Sequence, residues 1–121
     1  MIAGTYNMTC DQGSTFLRTF VVQYQDEIDP TVFHPYDLAG YTARMHIRRD
    51  VESTEILASL TTENGKITID EDDGAVVVSM TAEQTSAITR SGVYDIEIIS
   101  PSQEVHKIVR GSFNLNLEVT R

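Results

Sequence analysis

The sequence predicts an all-β protein, an antiparallel β-sandwich with one short helix. Three observations carry that prediction. The stretch Asp37 to Arg49 opens on a turn and then alternates, with Tyr41, Ala43, Met45 and Ile47 on one side and Thr42, Arg44, His46 and Arg48 on the other. A period of two marks a strand with one buried face. Eight or nine short stretches of this kind recur along the chain, separated by Gly, Pro, Asn and Asp turn signals, as in a sandwich. Only Thr81 to Ile88 reads as a helix, with Thr81 as cap and Gln84 three residues on.

At 121 residues the chain has the length of one domain, spanning 1–121. It carries 9 Lys plus Arg against 18 Asp plus Glu, a formal charge of −9. That balance disfavours a nucleic-acid partner, whose phosphates require basic residues. No apolar run approaches the roughly 20 residues that span a bilayer, so no membrane partner is expected. The first residues lack a basic region followed by an apolar core, which points to synthesis and folding in a cytosol. Cys10 is the one cysteine, so neither an internal disulfide nor a two-cysteine metal site can form within one copy.

In chain order, Thr5 to Thr9 reads as a first short strand and Asp11 to Ser14 as a turn, with Gly13 free to take positive φ. Thr15 to Gln25 is a second strand with Phe16, Phe20, Val22 and Tyr24 on one face. Arg18 shares that face, which predicts a bulge or an edge position. Asp26 to Tyr36 contains Pro30 and Pro35 and reads as a long surface excursion, the kind of segment where function sits. Its apolar residues Val32, Phe33 and Tyr36 have two readings: they cap one end of the core, or they form a contact patch for a partner.

The Tyr41 to Arg48 strand follows, then Glu55 to Thr61 with Ile56, Ala58 and Leu60 on one face. Asn64-Gly65 is a strong hairpin signal leading into Lys66 to Ile69. The acidic turn Asp70 to Gly74 leads into Ala75 to Met80. After the helix, Val93 to Ile99 places Tyr94, Ile96 and Ile98 inward and Asp95 and Glu97 outward. The chain closes with Val105 to Val109, an interruption at Gly111 that suggests a bulge or bend, and Phe113, Leu115, Leu117 and Val119 on strict alternation. If the Arg44 and Asp95 strands are neighbours, Arg44, His46 and Arg48 make cross-strand pairs with Asp95 and Glu97.

No catalytic, cofactor-binding or metal-binding constellation is visible. Read as a calcium loop from Asp70, the acidic turn puts Gly74 fifth and Thr81 twelfth, where an EF-hand needs Gly sixth and Glu twelfth. His34, His46 and His106 share no ligand spacing. Cys10 has no identifiable base partner. Arg44, Arg48 and Arg49 form a short basic stripe, without the interleaved aromatics of a single-strand binder.

Several segments in succession carry a resemblance: Asp11-Gln12-Gly13-Ser14-Thr15-Phe16; Asp37 through Arg48; Leu60 through Ile69; Thr81-Ala82-Glu83-Gln84-Thr85; Val93-Tyr94-Asp95-Ile96-Glu97; and Gly111-Ser112-Phe113. Their order and spacing cover almost the whole chain. They resemble a family of short bacteriophage and prophage virion proteins, similar to the immunoglobulin-like N-terminal module of phage baseplate upper proteins. The resemblance implies an immunoglobulin-like sandwich that is not an enzyme. It implies a structural or adaptor piece of a virion tail, baseplate or fibre, docked to neighbouring virion subunits in a symmetric oligomer. It brings no catalytic residues and no cofactor. The chain departs from the family in the longer, proline-containing Asp26 to Tyr36 segment, which is expected to set its partner. Ending at Arg121, it is expected to be a separate small subunit. The expected contact residues are Val32, Phe33, His34 and Tyr36, with Ile2 and Tyr6 near the N-terminus. Two other readings stand beside this one: a head-associated decoration or neck protein, and a carbohydrate-binding module, against which the absence of Trp counts.

Overall fold

The computed structural model describes residues 3–120. In chain order the strands are β1 (Gly4–Thr5), β2 (Met8–Asp11), β3 (Phe16–Val21), β4 (Gln23–Gln25), β5 (Phe33–Pro35), β6 (Thr42–Arg48), β7 (Ile56–Thr61), β8 (Ile67–Asp70) and β9 (Ala75–Met80). The helix α1 (Ala82–Ser86) follows, then β10 (Gly92–Ile99) and β11 (Val105–Asn116). The architecture is all-β and sandwich-like, as the alternation predicts. A six-stranded sheet runs β1-β11-β10-β6-β7, with β2 also paired to β11, and a three-stranded sheet runs β3-β9-β8. The hairpin β4-β5 forms a third, two-stranded unit.

The core lies between the two larger sheets. Ala43, Met45, Ile47, Leu60, Tyr94, Ile96, Ile98 and Phe113 enter it from the large sheet, and Phe16, Ile67, Val76, Val78 and Met80 from the small one. Each fully buried Ile, Leu, Met or Phe contributes roughly 1.5–3 kcal/mol through removal from water. Phe16 and Phe113 meet edge to face across the sheets, with ring centroids 6.1 Å apart. The capping box of α1 forms in both directions: the Gln84 N–H donates to Thr81 Oγ1 and the Thr81 N–H to Gln84 Oε1. The helix is shorter than the Thr81 to Ile88 span, and buried Thr85 ties it to the Gln12–Ser14 turn through bonds to Gly13 and Ser14.

Several expectations are corrected. The sandwich is not wholly antiparallel, because β1 and β2 pair parallel to β11. The predicted first strand is split in two. The carbonyl of Tyr6, at the break, accepts from the Tyr94 hydroxyl, and burial pushes that phenol up to about 12, so it stays a donor. Asn64-Gly65 does not close a hairpin: it carries the chain from β7 in one sheet to β8 in the other. The Asn64 side chain stabilises this turn by accepting from Thr61 and Lys66 N–H groups and donating to the Ser59 carbonyl. The register slip in the last strand falls not at Gly111 but opposite Ile96 and Glu97, at Ile108. Gly111 serves close approach instead, since a Cβ there would stand 2.1 Å from the Tyr6 carbonyl oxygen. Ile56 is exposed rather than inward because β7 slips register against Arg48.

The charge prediction holds for the strand neighbours and for one pair, Arg44–Glu97; Arg48 lies opposite Val93 and donates instead to the Ser53 and Thr54 carbonyls. β6 and β10 are neighbours, with Arg44 opposite Glu97 and His46 opposite Asp95. Arg44 Nε lies 2.8 Å from Glu97, and Asp95 is held by Lys107 Nζ at 3.0 Å from the other side.

Candidate functional site

The segment predicted as a surface excursion is a structured arm. In an antiparallel ladder, alternate residues direct both backbone groups to the same side. The Val22 N–H donates to the Gly74 carbonyl and the Val22 carbonyl accepts from the Tyr36 N–H. Strand β3 therefore passes from one partner, β9, to another, β5, without changing side, and β3 and β4 act as one long strand. Gly74 sits at this junction with φ +62°, and a Cβ there would meet the Tyr36 and Val22 backbone at 2.8–3.0 Å. Only Gly fits that crossing.

The tip of the arm is closed by two carboxylates. Asp26 accepts from the N–H groups of Ile28 and Asp29 with one oxygen and meets His34 Nε2 at 2.8 Å with the other. Asp29 accepts from the Thr31 N–H and hydroxyl. The Asp29 N–H, then His34, then the Ile28 N–H hold the Asp26 carboxyl at about 2, and the Thr31 groups lower that of Asp29. These local bonds explain how a segment with two prolines holds a defined shape.

The arm has two faces. On one, His34 stacks against Tyr24 (5.3 Å), Tyr24 meets Tyr36 edge-on (6.4 Å) and Tyr36 meets Tyr41 (6.3 Å), so an aromatic chain runs into the body of the protein. On the other, Phe33 and Pro35 lie opposite Gln25 and Gln23. This second face continues the outer face of the three-stranded sheet, where Leu17, Thr19 and Val21 lie opposite Ser79, Val77 and Ala75. The result is a continuous surface of Leu17, Val21, Val77, Phe33 and Pro35 with Thr, Ser and Gln between them. Asp70 stands at its margin, opposite Ala75. Leu17, Val21 and Phe33 are each more than half exposed.

The predicted contact residues thus divide. Val32, Phe33, His34 and Tyr36 come together on the arm. Phe33 and Val32 are exposed, whereas Tyr36 is half-buried and packs against the core, so the capping reading applies to Tyr36 alone of the three. Tyr6 lies apart, at the open side of the sandwich, its ring edge-on to Phe20 at 5.7 Å. Ile2 lies outside the described residues. Leu17, Val21 and Val77 were not among the expected contacts. Their signal was present in the sequence: β3 is apolar on both faces, which a half-buried strand does not require.

Cys10 is buried and its thiol is pushed up chiefly by burial, which makes it a poor nucleophile. Among the described residues no helix is long and apolar enough to cross a membrane. A scan against protein-family models finds no match to this chain, and no curated protein matches it.

Proposed function

We propose that this chain is a non-enzymatic structural protein of a bacteriophage virion, an adaptor of the tail, baseplate or fibre region that works by docking neighbouring subunits. The family resemblance supplies the virion setting. The observation that carries the docking role is the uncharged outer face shared by β3 and β9, extended by Phe33 and Pro35 on the arm, with Asp70 of β8 at its margin. In a chain where 22% of residues are charged, a sheet face built from Leu, Val, Phe, Pro, Thr, Ser and Gln has the composition of an interface centre. Phe33 and Leu17 are its anchors, and Tyr36 holds the arm against the body so that Phe33 is presented in a fixed place.

The test is mass spectrometry of purified particles of the source phage, with tails and heads separated before digestion. Recovery in the tail fraction, at a copy number that is a multiple of the tail symmetry, supports the adaptor reading. Recovery on heads alone replaces it with a decoration or neck protein. Absence from every particle overturns the virion assignment.

A further inference from the structure

The backbone of β3-β4 is used on one side only. Val22 directs both its groups toward β9 and β5, so Leu17, Thr19, Val21 and Gln23 direct theirs to the opposite side, where no strand pairs among the described residues. One blunting device is present, at the start of the strand: the inward Arg18 guanidinium lies over the Phe16 ring and donates to the Leu17 and Thr9 carbonyls. From Thr19 to Gln23 the outward side chains are uncharged, no proline interrupts the strand and no bulge bends it. The edge opens into a groove whose far wall is Ile108 and Val109 of β11. A second hollow, lined by Tyr6, Arg18, Thr19 and Phe20, adjoins it along the same edge. A strand lying in this groove would find backbone partners on one side and two hollows below, one floored by Phe20, Val22, Ile108 and Val109 and the other by Tyr6 and Phe20 beside Arg18.

One segment of the molecule has the matching pattern. The alternation of β11 continues past its last paired residue, Asn116, as Leu-Glu-Val-Thr at positions 117–120, yet this segment pairs with no strand. Leu117 is 67% exposed and Val119 93% exposed. The Glu118 N–H is held by Gln12 Oε1 at 2.9 Å and the chain bends at Val119, so the segment is tied to its own turn at Glu118 while the Leu117 and Val119 side chains stand in solvent. The segment cannot reach the groove of its own chain. The groove lies beside Ile108 and Val109, and the segment leaves β11 at Asn116, on the order of 20 Å further along the strand and heading away.

We propose that segment 117–120 of one copy adds as a strand to the free edge of β3-β4 of a second copy, with Leu117 and Val119 entering the two hollows. The contact is head to tail: each copy gives one segment and receives one. A heterologous contact of this kind closes into a ring, two-membered where two copies exchange segments, or else builds a filament. It rests on the strand edge and the exposed segment, not on the virion setting or on Phe33.

The test is sedimentation velocity of the full chain from micromolar to millimolar concentration. Wild type is expected to form dimers or larger species as concentration rises. The donor variant Leu117→Asp with Val119→Asp is expected to lose all of them, as is the edge variant Val21→Pro, which removes an N–H that faces away from β9. Mixed one to one, these two variants are expected to form a heterodimer and stop there, since each retains the half that the other lacks. A peptide of residues 116–121 in excess is expected to reduce wild type to monomers, a readout that needs no variant to fold. A wild type that stays monomeric, an unaffected donor variant, or wild-type oligomers that ignore the peptide each overturn the proposal.

Discussion

On the outer face of the six-stranded sheet, Asp95 and Glu97 of β10 lie between Arg44 and His46 of β6 and Lys107 and Arg110 of β11. On the outer face of the three-stranded sheet, Leu17, Thr19 and Val21 of β3 lie beside Val77 and Ser79 of β9, and Phe33 and Pro35 extend the same surface. Both faces border solvent in the isolated chain, and both belong to strands whose other side builds one shared core. The charged face satisfies its own groups: the Arg44–Glu97 and Lys107–Asp95 pairs close within the chain. The β3-β9 part of the second face carries no charge, has no such internal pairing and leaves apolar area in water. A fold gains nothing from that exposure, whereas a docking surface does. The comparison teaches where to separate stability from association in this molecule: substitutions on the first face should read out in folding, and those on the second in binding.

The largest expected effect is on the second face. Leu17→Asp combined with Phe33→Asp should reduce incorporation into particles at least tenfold, since buried interface anchors are worth about 2 kcal/mol each. The melting temperature should barely move, because exposed substitutions usually stay within about 0.5 kcal/mol. Copies per particle, measured beside a melt, decide it; unchanged incorporation would remove the docking role from this face.

Next comes the junction that joins the arm to the sheet. Gly74→Ala places a Cβ against the Val22 and Tyr36 backbone at φ +62°, and should cost about 1–3 kcal/mol in urea denaturation. A loss well below that range would mean that the arm shifts freely and that Phe33 is not held in register with Leu17.

A smaller effect belongs to the charged face. A double-mutant cycle on Arg44 and Glu97, both partly exposed, should give a coupling of about 0.2–1 kcal/mol that shrinks in high salt. Coupling that is absent at low salt would show the face to be merely solvated.

The smallest effect is local and pH-dependent. The folded Asp26 carboxyl lies at about 2, below its ordinary 3.8, so what it contributes is present above pH 3.8 and is lost as the pH falls toward about 2. Amide signals of Ile28, Asp29 and the rest of the tip should change in that window while those of β6 and β10 hold. Replacing Asp26 with Asn should abolish the transition, and a tip that titrates regardless would shift the assignment to Asp29.

Much of this was legible in the sequence wherever a strand buries one face. Ala43, Met45 and Ile47 are buried and Tyr94, Ile96 and Ile98 follow suit, because a period of two records a one-sided core directly. The Arg44–Glu97 pair was readable for the same reason: opposite charges on the outward positions of two strands mark them as neighbours. Phe33 and Val32 were found as candidate contacts because apolar residues stood among turn formers. Their separation from Tyr36 was not readable, since it depends on which face of a hairpin each residue takes, and the hairpin itself was hidden by Pro30 and Pro35. Leu117 and Val119 carry the strand signal without the strand. Alternation reports what a segment is suited to, not whether a partner is present.

The sequence alone thus determined the all-β class, the inward residues of β6 and β10 and Phe113 of β11, the capped helix and the signs of the charged face. These rest on local periodicity and local hydrogen bonding, which neighbouring residues encode. Only the tertiary structure decided which strands share a sheet, that β1 and β2 run parallel to β11, that Asn64-Gly65 crosses between sheets, and that one edge of β3-β4 stays open. Those are choices among pairings distant in the chain, set by packing and backbone satisfaction across the whole core, and no short stretch of residues contains them.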